Sequence, residues 1–331
     1  MPEILRIGTR ESQLAVWQAT QVSGLLTAAG YQTELVYIKS EGDINLTTPL
    51  YEMGVQGIFT RSLDIALLNK KIDIAVHSMK DVPVVLPQGI RQAAVLERGS
   101  YKDLLVAGKG IEFINNEPVL HPVSSIQHPV SSIQHPVPSI QHPASFLIAT
   151  SSIRRKAQWL NRYPGSRLEN LRGNVNTRLK KLAESDWHGA IFAAAGLERI
   201  GLRPENSIEL DWMLPAPAQG AIMVVCRMED QLAFKACEKM NDENTAVCVK
   251  AERDFLKTLM GGCSTPISAL ARVDEGRLHI RGNILSVDGT QKLEVEKDTP
   301  LEKAYSLGVD AALEILDEGG DVLMKAIKGE G

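Results

Sequence analysis

The chain has 331 residues, 44% of them hydrophobic and 23% charged, and a formal net charge of −4. That length houses two or three domains with cores of their own, in the balance of an ordinary soluble globular protein. Membrane spans are excluded, because no apolar run approaches the ~20 residues one needs. The basic character is local: residues 150–200 hold ten Lys/Arg against four Asp/Glu, residues 201–331 fifteen against twenty-three. A basic middle in an acidic chain points to a local anion site rather than to nucleic acid, whose binders bias a whole domain. The start, Met1-Pro2-Glu3-Ile4-Leu5-Arg6, enters a strand pattern at once without a signal-peptide layout, so a cytoplasmic protein is expected.

In chain order, Ile4 to Ile7 reads as a strand. The polar turn Gly8-Thr9-Arg10-Glu11-Ser12 follows, then a helix with Leu14, Val22, Leu25 and Leu26 on one face, ending near Gly30. Leu35 to Ile38 is a second strand. Gly54-Val55-Gln56-Gly57 opens another helix, with Phe59, Leu63, Ala66 and Leu67 at i, i+4, i+7 and i+8. Ile74-Ala75-Val76 is a short apolar run, predicted as a strand buried on both faces. It ends in His77, Ser78, Lys80 and Asp81 before Pro83 stops any regular element. This alternation gives an α/β domain with a mostly parallel sheet. Ligands of such sheets bind just beyond the carboxyl ends of the strands, so this polar cluster marks a site.

The pattern restarts at Phe146 to Ala149, after which Thr150-Ser151-Ser152 caps a helix carrying Ile153, Ala157 and Leu160. Leu168 to Leu171 is a weaker strand, the next helix has Val175, Leu179 and Leu182 in register, and Ala190 to Ala195 is a buried strand ending at Gly196. Two similar units predict a cleft between two lobes. Beyond them, a helix over Asp242 to Leu259 stops at Gly261-Gly262, and strands at Leu278 to Leu285 and Lys292 to Glu296 flank the hairpin turn Asp288-Gly289. A last helix places Leu307, Ala311 and Ile315 at i+4 steps, completing a small α+β domain with an antiparallel sheet. The expected division is 1–98 with 214–238, 99–213 with an insertion near 110–145, and 239–331.

That insertion repeats His121-Pro122-Val123-Ser124-Ser125-Ile126-Gln127 from His128 and again from His135, where Pro138 replaces a serine, and decays after His142. A proline in every unit excludes a continuous coiled-coil helix, leaving an extended loop. Its histidines sit beside prolines with no carboxylate or cysteine among them, so no metal is predicted. Cys226, Cys237, Cys248 and Cys263 include no Cys-x-x-Cys pair, which argues against zinc and against a disulfide framework. The first three lie in apolar patterns as inert core residues. Cys263 follows a helix C-terminus, where the dipole disfavours a thiolate, so a tether formed once fits better than a recurrent nucleophile.

Arg154 and Arg155 occupy a helix first turn, against the dipole, which makes sense if an anion sits there. With Arg10, Arg172, Arg178, Arg199 and Lys80 at other element ends, they suit a ligand with several carboxylates. The alternative is that half are surface arginines. Asp81, a lone carboxylate among cations, is either a general acid/base or stabiliser of a cationic intermediate, or a helix cap or partner of Lys80.

Arg6-Ile7-Gly8-Thr9-Arg10, residues 74–83, residues 150–155, Leu171-Arg172-Gly173-Asn174-Val175, residues 214–221 and Gly261-Gly262-Cys263 together resemble the porphobilinogen deaminase family over nearly the whole chain outside the repeats. The resemblance implies two lobes like those of periplasmic solute-binding proteins plus a third domain. It further implies a dipyrromethane cofactor bound to Cys263 through a thioether, and head-to-tail condensation of four porphobilinogen molecules into hydroxymethylbilane with loss of ammonia. Asp81 would stabilise a cationic azafulvene and relay the released proton, while the arginines hold acetate and propionate groups. Ser12, Ser78, Lys80, Thr150, Ser152, Gly196 and Gln219 match family positions lining cofactor and substrate. The family's loop is usually Gly-Gly-Lys-Gly where this chain has Gly54-Val55-Gln56-Gly57. Glu52 replaces a common lysine, Gly189 a frequent aspartate and Ala218 a frequent glycine. A monomer without nucleic-acid or membrane partners is expected. The competing reading is a non-catalytic two-lobed binding protein for an anionic small molecule.

Overall fold

A computed structural model of the chain describes residues 4–39, 60–120, 145–260 and 265–328. The His-Pro repeats, the 54–57 loop with Glu52, and Cys263 lie outside them.

The first lobe is a sheet of order β2-β1-β3-β12-β4, formed by β1 (Ile4–Thr9), β2 (Gln32–Tyr37), β3 (Ile74–Ser78), β4 (Ile90–Val95) and the late strand β12 (Ile222–Arg227). β1 pairs in parallel with β2 and β3, whereas β12 runs antiparallel between β3 and β4. Helices α1 (Gln13–Ala28) and α6 (Gln231–Glu238) pack on one face; α2 (Arg61–Leu68) and the start of α7 (Glu243–Thr258) pack on the other. Ile74 and Val76 enter the first core and Ala75 the second, so β3 is buried on both faces as its apolar run predicts. The α1 stripe is rotated from the expected one. Ala15, Gln18, Ala19, Val22 and Leu26 are buried, whereas Leu25 is 46% exposed. Small residues make the close contact with the sheet, and bulk alone was a poor guide to the face.

The second lobe repeats the plan with order β11-β5-β10-β8-β9, using β5 (Asp103–Ala107), β8 (Leu147–Ala149), β9 (Arg167–Glu169), β10 (Gly189–Ala193) and β11 (Ser207–Glu209). Parallel pairing links β10, β8 and β9; antiparallel pairing links β10, β5 and β11. Both sheets are thus mixed. Helices α3 (Ile153–Arg162), α4 (Val175–Glu184) and α5 (Ala194–Glu198) flank this sheet, and a hairpin of β6 (Ile111–Ile114) and β7 (Glu117–Leu120) extends from it.

Two crossovers connect the lobes, one after β4 and one before β12. They touch at Gly220, where φ is +87° and an added Cβ would lie 2.7 Å from the carbonyl oxygens of Gly99 and Ser100, so only glycine fits. Two residues before it, Ala218 also adopts a left-handed backbone, φ 62°, a conformation that favours glycine.

The third domain packs α7, α8 (Leu307–Ile315) and α9 (Asp321–Lys328) on an antiparallel sheet of β13 (Ile267–Asp274), β14 (Arg277–Leu285) and β15 (Lys292–Pro300). Leu307, Ala311 and Ile315 all enter its core, as their spacing predicts. Several contacts among the described residues fix this domain to the lobes. The hairpin turn rests on α3, where Asn161 Nδ2 donates to the Gly289 carbonyl at 2.8 Å. Glu252 on α7 is fully buried and accepts from Arg98 Nη1 at 2.6 Å, Ala218 N at 2.6 Å and Ala271 N at 2.7 Å. Both crossovers and β13 therefore converge on one carboxylate. Among the described residues, no helix is long and apolar enough to cross a membrane.

Candidate active site

The cleft between the lobes holds a cavity of about 600 Å³. Three helix N-termini open onto it, each closed by a side chain: Ser12 accepts from Ala15 N, Ser152 from Arg155 N, and Asn174 from Thr177 N. Their lining first turns direct positive dipole ends at the same space. Among the described residues, Arg10, Lys39, Lys80, Arg154, Arg155, Arg172 and Arg178 supply seven lining cations, against two lining carboxylates, Glu11 and Asp81. Leu256, Thr265 and Ile267 bring the third domain into the wall.

On the first lobe, β3 delivers Ser78, and the single turn Met79–Asp81 follows it. Ser78 Oγ accepts from Gln18 Nε2 at 2.9 Å. Lys80 Nζ donates to Gln219 Oε1 at 3.1 Å. Burial pushes the Lys80 ammonium down to about 8, only partly offset by the Asp81 charge, while Arg155 pushes the same way as burial. Asp81 makes no hydrogen bond or ion pair to any described residue, so its carboxylate oxygens remain available in the cavity. His77 is buried with an unpartnered Nε2 and is driven down to about 3 by burial and then by Arg10, which makes it a neutral core residue.

The second lobe is built differently. Arg154 and Arg155 are buried and both grip Asp103, the first residue of β5: Arg154 Nη2 meets Oδ2 at 2.8 Å and Arg155 Nη2 meets Oδ1 at 2.8 Å. Burial opposes the charged form of Asp103, but the two guanidinium groups outweigh it and hold the carboxyl well below the usual range. The anion inferred for this helix start is therefore, in part, the protein's own. Remaining donors reach the Leu214 and Ile191 carbonyls, and Arg154 Nε stays buried without a partner. Gln219 Nε2 donates to Asp103 Oδ1 at 2.8 Å, which completes a chain from Lys80 through Gln219 and Asp103 to both arginines. Arg178 Nε donates to the Gly173 carbonyl at 2.7 Å. Burial, and then Arg155, depress it to about 10, with Asp81 pulling the other way.

Of the residues singled out in the sequence, Arg10, Ser12, Ser78, Lys80, Asp81, Ser152, Arg154, Arg155, Arg172, Arg178, Gly196 and Gln219 line the cavity together. Thr150 and Arg199 do not. Thr150 is buried, with its hydroxyl accepting from Ser152 N. Arg199 lies over the Trp17 ring and donates to the Gly220 carbonyl at 2.6 Å. Cys263 is outside the described residues, but Thr265, two positions later, is in the wall. The remaining cysteines are buried, and burial pushes the Cys237 and Cys248 thiols up to about 12 and about 11, as expected of inert core groups. Sequence reasoning missed Asp103, Gln18 and Lys39. Asp103 had one local signal, a charge opening the apolar run Leu104-Leu105-Val106.

A two-lobed α/β fold enclosing a cationic cavity, with the Asp81 carboxylate set among the arginines, defines a protein suited to a small molecule bearing several carboxylates. The family models described as "Porphobilinogen deaminase, dipyromethane cofactor binding domain" and "Porphobilinogen deaminase, C-terminal domain" match residues 5–235 and 246–317. A porphobilinogen deaminase from Syntrophomonas wolfei is 38% identical over 324 residues, which is 97% of both chains. The chain belongs to the porphobilinogen deaminase family, transferases of tetrapyrrole biosynthesis. That membership disfavours the non-catalytic binding protein. Looser likenesses extend to an ancestral cationic amino acid solute-binding protein (12% identity, 72% of this chain and 87% of that one, TM-score 0.39). The BenM effector-binding domain with benzoate is similar at 13% identity, over 72% and 91% of the chains, with TM-score 0.39.

Proposed function

We propose that this chain condenses four porphobilinogen molecules head to tail into hydroxymethylbilane, releasing ammonia at each joining. The primer is a dipyrromethane held by Cys263 through a thioether, and the enzyme acts as a cytoplasmic monomer. The observation that carries the reading is the Asp81 carboxylate, without a hydrogen bond or ion pair to any described residue in a cavity otherwise dominated by cations.

The residues present fit the primer. Gly196 lines the cavity, and a Cβ there would meet only Leu14 at 3.8 Å and Val175 at 3.9 Å, so the protein's own packing does not require glycine and the space is left for a ligand. The third-domain wall near residue 265 suits a tether two residues earlier. When bound, the dipyrromethane supplies the pyrrole carbon on which the chain grows. Arg10, Ser12, Ser78, Lys80, Ser152, Arg154, Arg155, Arg172, Arg178 and Gln219 would hold its carboxylates and those of the substrate.

Asp81 carries the chemistry. As the C–N bond of the substrate aminomethyl group breaks and ammonia leaves, positive charge develops on the pyrrole unit, and the carboxylate stabilises it. Once the new C–C bond has formed, the same carboxylate accepts the proton displaced from the pyrrole carbon. We assign 1–98 with 214–238 to the catalytic lobe, 99–213 to the basic lobe and 239–331 to the tethering domain; the return of β12 to the first sheet supports the split first segment. Ammonia release from porphobilinogen tests the assignment. Asp81→Asn should lose activity by roughly 10²- to 10⁴-fold, the span of general acid–base contributions. Wild-type turnover in that variant would reject the role.

A further inference from the structure

The turn bearing Lys80 and Asp81 is not held by its own lobe alone. Within that lobe, Met79 N donates to the Ala221 carbonyl at 3.0 Å, and Val82 N closes the turn on the Met79 carbonyl at 3.1 Å. From the third domain, Arg253 on α7 covers the carbonyls on either side of the pair. Its Nη1 donates to Val82 O at 2.9 Å and Met79 O at 3.4 Å, and its Nη2 donates to Pro83 O at 2.6 Å. One planar fork therefore collects carbonyls from both ends of a turn whose middle residues are Lys80 and Asp81. The same helix carries Leu256, which lines the cavity, and it leads toward the segment that contains Cys263.

We infer that Arg253 is a positioning residue for the reaction: it fixes the Asp81 carboxylate relative to the third domain, and so relative to the point where the growing chain is anchored. This rests on the reading of Asp81 as the catalytic group and Cys263 as the tether. The geometry points to positioning because three backbone acceptors of this one guanidinium lie at the two ends of the 79–83 segment. A guanidinium that served only to join domains would have no need to take both ends of one five-residue stretch. Arg253 is not among the residues that line the cavity, so its loss should leave binding groups such as Arg10 and Arg172 in place and displace only the reacting carboxylate. Misplacement of a reacting group by an ångström is costly in rate even when binding survives.

The test compares wild type, Arg253→Ala and Arg253→Lys as purified full chains, with intact mass, kcat, KM for porphobilinogen and amide hydrogen exchange measured on each. Arg253→Ala should keep the cofactor mass and a KM within about threefold of wild type while kcat falls on the order of 10- to 100-fold. Arg253→Lys should recover part of that loss, because one ammonium still reaches a carbonyl but cannot span the turn. Should the alanine variant fail to fold, the lysine variant decides through exchange: amides of residues 80–82 should exchange faster while the rest of the first lobe is unchanged. Wild-type kcat in a folded Arg253→Ala, a loss carried by KM, or uniform exchange across the lobe in Arg253→Lys would overturn the inference. A wild-type protein lacking the cofactor mass or ammonia release would instead overturn the reading of function beneath it.

Discussion

The two lobes bury charge in opposite ways. In the second lobe, Asp103 is fully buried but satisfied by Arg154, Arg155 and Gln219, so its charge is compensated on the spot. In the first lobe, where Arg227 is paired with Asp73 and Asp230, three other titratable groups are buried with little compensation: Lys80 is pushed down to about 8, His77 to about 3, and Asp64 on α2 up to about 6. A compensated network makes a rigid wall that can grip carboxylates without moving. Uncompensated groups cost stability but stay responsive to a ligand, which is what a reacting turn needs.

The largest effect should come from breaking the compensated side. Asp103→Asn leaves two buried guanidinium groups without their counter-charge and should destabilise the fold by about 3–5 kcal/mol, read from the urea midpoint. A loss below about 1 kcal/mol would mean that Arg154 and Arg155 find other partners and that the contrast is weaker than the contacts imply.

On the responsive side, Lys80 grips a carboxylate only while protonated. With its value near 8, KM for porphobilinogen should rise about tenfold between pH 7 and pH 9, and Lys80→Arg should flatten that limb because a guanidinium keeps its charge there. A flat alkaline profile in wild type would remove Lys80 from substrate binding.

The smallest effect concerns Asp64. Burial raises its carboxyl above the unfolded value, with the Thr60 hydrogen bond pulling back, so the folded state favours the protonated acid. The cost is present above pH 6 and absent below about pH 4. Asp64→Asn should therefore gain about 1 kcal/mol at pH 7 to 8, after allowance for its partial solvation, and nothing near pH 4. A gain that persists unchanged at pH 4 would place its origin in packing instead of charge.

Much of this architecture is legible in the sequence because local signals agree with the final packing. Ile74-Ala75-Val76 reads as a doubly buried strand and is one, and Leu307, Ala311 and Ile315 mark the helix face that enters the third core. The polar groups at the end of β3 announce the site for the same reason. What escaped reading is non-local. β12 sits between β3 and β4, with Ile222 opposite Ser78, and nothing in its six residues specifies partners so distant in sequence. Arg154 and Arg155 were legible as anion binders, but their partner Asp103 lies on another strand, so only the fold could divide their donors between a protein carboxylate and the cavity. The same holds for Glu252, an unremarkable residue of an amphipathic helix that turns out to join both crossovers.

The central claim, that a covalently anchored primer occupies the cationic cavity, is tested most directly by the intact mass of the protein purified from cells that make porphobilinogen. The account predicts a mass above that of the polypeptide by one dipyrromethane, and its disappearance in Cys263→Ser. A wild-type mass equal to that of the unmodified chain would contradict it.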